Sequence, residues 1–349
     1  MQLDRLARIS CYKKPDCHPH ALQMDTNENM CLPRGFIARL AADAMKRVDF
    51  RQYPDGLMDE LTRRLGKFVG ISPEHVAVGS GSDQLLDLLL SIIHDRRSLI
   101  VTVRPTFSFF LDRCRLHGIK VKEVPLREDL SLDARGLLSE QKAGLCYICS
   151  PNNPTGNQFE RETVLDIARR FKGLVLIDEA YVEFARYSLK RVPLRFPNVV
   201  VLGTMSKAFG LAGARVGYAT ASLRVARLLR DLAQCPYPVS SMSLALASCA
   251  LQHTREARRT WNFVKAERER VSETMRRFPG VRVFPSDANF ILFNTGGTAQ
   301  KIYRSLLDRS VLVRRIGKAG GHEDCLRVTI GTRAMNDTFL RALFAAVNR

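Results

Sequence analysis

The sequence predicts an α/β fold in which one large, mostly parallel sheet of seven strands is followed by a smaller α+β domain. Three observations carry this. Short β-like runs at 76–79, 99–103, 121–124, 145–149, 174–178, 199–203 and 216–220 alternate with helical patterns. Most of these runs are apolar throughout, as strands covered on both faces are. After about residue 222 the alternation gives way to long helical stretches and then to short mixed segments.

Taken in order, residues 1–34 read as an N-terminal arm, 35–250 as the large domain and 251–349 as the small one. The 76–79 run leads through Gly79, Gly81 and Ser82 into an apolar helical stretch over 85–93. The helical stretch 223–232 carries Arg224, Arg227 and Arg230 every three residues beside leucines, the wet side of an amphipathic helix. Further helices are expected at 240–252 and, heavily charged, at about 255–278. The small domain then needs strands at 281–284, 290–293, 311–313 and 326–330 and a helix at 299–309. Ligands of parallel sheets gather at the carboxyl ends of the strands, and Ser82, Phe107, Asn153, Asp178 and Ser206 all fall there.

Composition narrows the class. A chain of 349 residues exceeds the ~250–300 at which single cores stop growing, so a second domain and a deep cleft between the two are expected. No segment approaches the roughly 18 uninterrupted apolar residues of a membrane span, and even 85–93 contains Asp87. The first residues lack the apolar core of a secretory signal, so the expected location is the cytoplasm, with no membrane partner. Nine scattered cysteines fit a reducing compartment rather than a disulfide framework. Cys146 and Cys149 have redox-like spacing but lie three apart in a strand-like run, on opposite faces. Cys11, Cys17, His18, His20 and Cys31 crowd the N-terminus without a second cluster at finger-like spacing, so no metal is expected. The net charge of +19 invites anionic ligands or nucleic acid, yet the basic residues lie along helix faces that solvation accounts for, and no nucleic-acid partner is expected.

Lys207 is the most informative residue. It follows the apolar run 199–203 and precedes the small-residue stretch AFGLAGAR. A lysine whose proton affinity is lowered can hold an aldehyde cofactor and serve as base. Asp178, at the end of another buried run, has the placement to keep a pyridine nitrogen protonated, although alone it fits a helix cap or an ion pair equally well. A phosphate needs backbone donors at a helix start, hydroxyls and a cation. The GSGSDQLL stretch from Gly79 supplies the first, and Ser206 and Arg215 are candidates for the others. Together these residues describe a pyridoxal phosphate site.

The strings NPTG from Asn153, DEAY from Asp178, Ser206-Lys207 and GAR from Gly213 resemble the fold-type I pyridoxal phosphate aminotransferases. SPNNPTG from Ser150, DEAYVEF from Asp178, SKAFGLAGARVGY from Ser206, PYP from Pro236, NFIL from Asn289 and CLRVTIGT from Cys325 are similar to the histidinol-phosphate aminotransferase branch. The resemblance runs from about Asp25 to Arg333. It implies that Lys207 bonds the cofactor aldehyde and later moves the substrate proton. Asp178 would pair with the pyridinium nitrogen, Asn153 and Tyr181 would hold the phenolic oxygen, and Phe107, where many relatives have tyrosine, would stack on the ring. The backbone at Ser82 and Asp83, with Ser206 and Arg215, would cup the phosphate, with Tyr53 entering from the second subunit of a homodimer. Arg327 would take the substrate carboxylate or phosphate and Arg314 the phosphate, while Asn27 and Tyr12 match further substrate positions.

The activity so implied is a ping-pong exchange between histidinol phosphate and 2-oxoglutarate in histidine biosynthesis. An aromatic aminotransferase or a threonine-phosphate decarboxylase would use the same cofactor residues. A ligand-sensing DNA regulator, suggested only by charge, would carry an added helix-turn-helix for which the arm has no room.

Overall fold

A computed structural model of the chain describes residues 18, 20–93, 99–319 and 321–348. The large sheet contains β1 (Val76–Ser80), β2 (Leu99–Arg104), β3 (Lys120–Pro125), β4 (Leu145–Cys149), β5 (Leu174–Asp178), β6 (Val199–Thr204) and β7 (Val216–Ala221). Their order across the sheet is β1-β7-β6-β5-β4-β2-β3. The seven expected runs are these seven strands. β2 to β6 pair in parallel with their neighbours among β2 to β6 and with β3, whereas β7 lies antiparallel to both β1 and β6. The reason is the β6 to β7 connection, which contains one short 3-10 turn and no α-helix, while a parallel return needs a long crossover.

Six of the strands are largely apolar because helices cover both faces, whereas β3, at the edge of the sheet, leaves Lys120, Lys122 and Glu123 exposed. All five residues of β4, Leu145 to Cys149, are buried, each large side chain contributing about 1.5–3 kcal/mol relative to exposure. Alternation along β4 sends Cys146 and Ile148 into one core cluster and Tyr147 and Cys149 into another. The two cysteines therefore face opposite sides of the sheet, as their spacing requires.

The small sheet holds β8 (Arg282–Val283), β9 (Phe290–Asn294), β10 (Arg314–Ala319) and β11 (His322–Thr329), all antiparallel, in the order β10-β11-β9-β8. Two expectations change here. The 311–313 run forms only the two-residue strand Val311–Leu312, which pairs in parallel with Leu22–Gln23 and pins the arm to the body. β10, sequence RRIGKA, was not expected as a strand. It is an edge strand whose charged side chains remain accessible, so it lacks the apolar signal that marks a central one.

Two glycines let the first helix approach the sheet. A Cβ on Gly217 would sit 2.0 Å from the Ser82 backbone nitrogen, and one on Gly81 would sit 2.6 Å from the Arg215 guanidinium. Gly81 also adopts φ +78°, which side chains disfavour. The start of the Gly81–Ile93 helix is thereby brought against β7 and beside Arg215.

Candidate active site

At the carboxyl edge of the parallel strands lies a cavity of about 590 Å³, walled on one side by the large sheet and on the other by β10 and β11. Lys207, just past β6, is in its lining, and Nζ donates a hydrogen bond to the Thr26 carbonyl at 2.8 Å. Burial above all, with Arg327 and Arg215 adding to it and Glu28 and Asp83 opposing, lowers this ammonium to about 8. An amine attacks an aldehyde only when uncharged. In cofactor-free protein, uptake of pyridoxal phosphate is expected to quicken about tenfold per pH unit below pH about 8 and to level off above it. A stopped-flow absorbance series across that pH checks this.

Asp178 ends β5 at the floor of the cavity. Tyr147 OH donates to its Oδ2 at 2.9 Å, and the Ala180 N–H donates to Oδ1 at 3.1 Å. Burial above all, with a smaller contribution from Asp83, nevertheless raises its carboxyl to about 6 against the lowering by these two donors. A carboxylate in this position is short of a cation.

Tyr181 accepts hydrogen bonds at its hydroxyl from Asn27 Nδ2 at 3.1 Å and Asn153 Nδ2 at 3.4 Å. With both amides donating, its own proton is left to donate into the cavity. Burial pushes the Tyr181 phenol well up, so that proton stays in place at neutral pH. Phe107, next to Pro105 after β2, also lines the cavity.

The anion-binding end is built by Ser82 and Asp83 at the start of the Gly81–Ile93 helix, with Ser206 and Arg215. Free helix-start N–H groups are anion donors. Arg215 adopts φ +51°, an uncommon conformation for a side-chain residue, and its guanidinium reaches Asp83 Oδ2 at 2.9 Å and Ser206 Oγ at 3.5 Å. The Asp83 carboxylate, which sequence reasoning assigned only through its backbone, here occupies one side of the arginine fork.

Arg314 and Arg327 are direct cross-strand partners on β10 and β11. Like charges directly opposite repel, so this placement is unfavourable unless something anionic neutralises it. Arg327 is buried: Nη1 donates to Asn153 Oδ1 and Nη2 to the Asp25 carbonyl, both at 2.6 Å, and the guanidinium stacks over Phe290 at 5.1 Å. Both arginines act on the buried Asp25 carboxyl, which burial still raises.

Twelve of the fourteen sequence-derived positions thus line one cavity: Asn27, Ser82, Asp83, Phe107, Asn153, Asp178, Tyr181, Ser206, Lys207, Arg215, Arg314 and Arg327. Tyr53 does not; it is 73% exposed and stacks on Tyr237 with ring centroids 4.5 Å apart. Tyr12, with Cys11 and Cys17, lies outside the described residues. Sequence reasoning missed Tyr147, which holds Asp178, and Thr26, which holds Lys207. Tyr147 was findable, since it lies two residues before the end of a buried strand and its hydroxyl needs a partner. Thr26 contributes a backbone oxygen, for which no sequence signal exists.

The model of the aminotransferase class I and II family matches residues 20–343. The chain belongs to this family. A histidinol-phosphate aminotransferase of Thermoanaerobacter pseudethanolicus is 34% identical over 341 residues, covering 96% of each chain. One from Thermococcus kodakarensis is 40% identical over 303 residues, covering 86% of this chain and 85% of that one. The crystal structure of histidinol-phosphate aminotransferase from Sinorhizobium meliloti in complex with pyridoxal-5'-phosphate superposes with a TM-score of 0.85 at 26% identity, over 93% of this chain and 90% of that one.

This aminotransferase is a pyridoxal phosphate-dependent enzyme of fold type I acting on small molecules, and its cavity fits that cofactor. An uncharged amine is accessible at neutral pH, a carboxylate short of a cation sits at the floor, and helix-start donors with Arg215 stand at the anion end. Among the described residues, no helix is long and apolar enough to cross a membrane.

Proposed function

We propose that the enzyme exchanges the amino group between histidinol phosphate and 2-oxoglutarate, and that the residues lining the cavity divide the work as follows. Pyridoxal phosphate, when bound, supplies an aldehyde to capture the amine and a ring to accept electrons from the α-carbon. Lys207 would hold that aldehyde, yield it to the substrate amine, and then carry the proton from the substrate α-carbon to the cofactor carbon that had borne the aldehyde. Asp178, fixed by Tyr147, keeps the ring nitrogen protonated. Tyr181 and Asn153 hydrogen-bond the phenolic oxygen, and Phe107 stacks on the ring. The backbone N–H groups at Ser82 and Asp83, with Ser206 and Arg215, anchor the phosphate.

The single observation that supports the substrate class is the Arg314 and Arg327 pair on facing positions of β10 and β11, which lines the same cavity as the cofactor's own phosphate anchors but lies on a different sheet. Two guanidiniums suit a phosphate in one half-reaction and a carboxylate in the other. The names of the relatives point the same way. We also propose that Tyr53, exposed and outside its own cavity, reaches the phosphate end of a second subunit's site in a homodimer, and that Asn27, which lines the cavity and donates one hydrogen bond to the Tyr181 hydroxyl, contacts substrate.

Stopped-flow mixing of the holoenzyme with histidinol phosphate, and separately with phenylalanine, tests the reading through loss of the cofactor's visible band. Conversion by histidinol phosphate at least a hundredfold faster is expected; faster conversion by phenylalanine, or release of carbon dioxide from threonine phosphate, would replace it. Arg314→Ala is expected to lower kcat/KM for histidinol phosphate about a hundredfold, since a charge partner in a shielded site is lost. Arg314→Lys should recover little of this, because an ammonium lacks the bidentate fork.

A further inference from the structure

The cavity lining contains six cations, Lys207, Arg215, Arg314, Arg315, Lys318 and Arg327, and three acids, Glu28, Asp83 and Asp178. Two of the acids are engaged: Asp83 pairs with Arg215, and Asp178 is held by Tyr147 and Ala180 at the floor. Glu28 has no hydrogen bond or ion pair within the described residues, although it lies close enough to Lys207 to act on its charge. In a cavity built to attract anions, an unengaged carboxylate repels every ligand named so far. A donor or cation on the substrate would remove that cost.

The backbone around Glu28 is held firmly. Asn27 sits at φ +58°, with its N–H donating to Thr329 Oγ1 at 3.0 Å and its carbonyl accepting from Asn289 Nδ2 at 3.0 Å. Asn29 donates from Nδ2 to the Ala208 carbonyl at 3.0 Å. Asn27 and Asn29 are buried, and Thr26 and Glu28 between and beside them line the cavity. Asn27, in a left-handed turn that asparagine tolerates and pinned by Thr329 and Asn289, together with Asn29 pinned at Ala208, holds Glu28 in the cavity lining.

We propose that Glu28 is a specificity-determining residue whose carboxylate accepts a hydrogen bond from the imidazole ring of the amino donor. The inference rests on the function proposed above. Of the groups on histidinol phosphate, the amine is consumed at the cofactor and the phosphate belongs with the arginines. The ring N–H is the remaining donor that an acid can serve. Glutamate offers no such group, so Glu28 distinguishes the two substrates that must share one cavity.

The test compares wild-type and Glu28→Gln holoenzymes in single half-reactions with three amines: histidinol phosphate, the phosphate ester of 2-amino-1-propanol, which keeps amine and phosphate but has no ring, and glutamate. Glu28→Gln is expected to lose about 10- to 100-fold in kcat/KM with histidinol phosphate, the effect of weakening one charged hydrogen bond, and less than about threefold with the other two. Reaction with glutamate also shows that the variant is folded and loaded. Equal loss with all three amines would mean that Glu28 acts through Lys207, and no loss with any would mean that it contacts nothing; either overturns the assignment. If the wild-type enzyme reacts with glutamate but with neither phosphorylated amine, the histidinol phosphate reading falls and this one falls with it.

Discussion

Lys207→Ala is expected to lower the rate of both half-reactions by about four orders of magnitude, because one side chain both holds the aldehyde and carries the proton. The variant should still bind pyridoxal phosphate through the Arg215 end, without the visible band that depends on Lys207. A variant that keeps that band, or turns over glutamate within about tenfold of wild type, would remove Lys207 from the chemistry. A stability signature accompanies this. In cofactor-free wild type, Lys207 titrates near 8, against an ordinary value of 10.5 when unfolded. Between these values the unfolded chain binds more protons, so wild-type stability gains from this group as pH rises from about 8 to about 10.5, and the alanine variant does not share that gain. Thermal melts of the two cofactor-free proteins across that window measure the difference.

Asp178→Asn is expected to act in opposite directions on stability and activity. The carboxyl titrates near 6 when folded and at the ordinary 3.8 when unfolded, so the folded, cofactor-free protein binds the extra proton between those values. Its stability therefore falls as pH rises from about 4 to about 6, and the cost persists above pH 6. Asparagine carries no charge, so the cofactor-free variant should be more stable than wild type by roughly 1–2 kcal/mol at neutral pH. The difference should vanish near pH 4. Loading with pyridoxal phosphate should reverse the order, because the pyridinium then pairs with the wild-type carboxylate. Transamination should drop by about a hundredfold or more, since an amide does not hold the ring proton. Melts with and without cofactor, together with half-reaction rates, test both arms; a variant less stable than wild type when cofactor-free would show that Asp178 serves the fold.

The sequence by itself determined the seven large-sheet strands: burial on both faces leaves six of them as largely apolar runs that need no partner to be recognised, and the edge strand β3 shows as Val121 and Val124 among charged residues. It also determined the chemical roles clustered at strand ends, because Lys207, Asp178, Asn153 and the Gly81-Ser82 helix start follow such runs within a few residues. What it could not determine depends on distant parts of the chain meeting. The antiparallel course of β7 follows from how 205–215 returns, and β10 forms at an edge where charged side chains stay wet. The Arg314 and Arg327 pairing is a matter of register between two strands, and a shift of one residue would send one guanidinium to the other face. Tertiary structure alone decided the electrostatics: the same Lys207 and Asp178 in an open chain would titrate normally. Burial beside Thr26 and Tyr147, contributed from the arm and from a neighbouring strand, moves one to about 8 and the other to about 6. Burial is a property of the packed whole, and no local pattern encodes it.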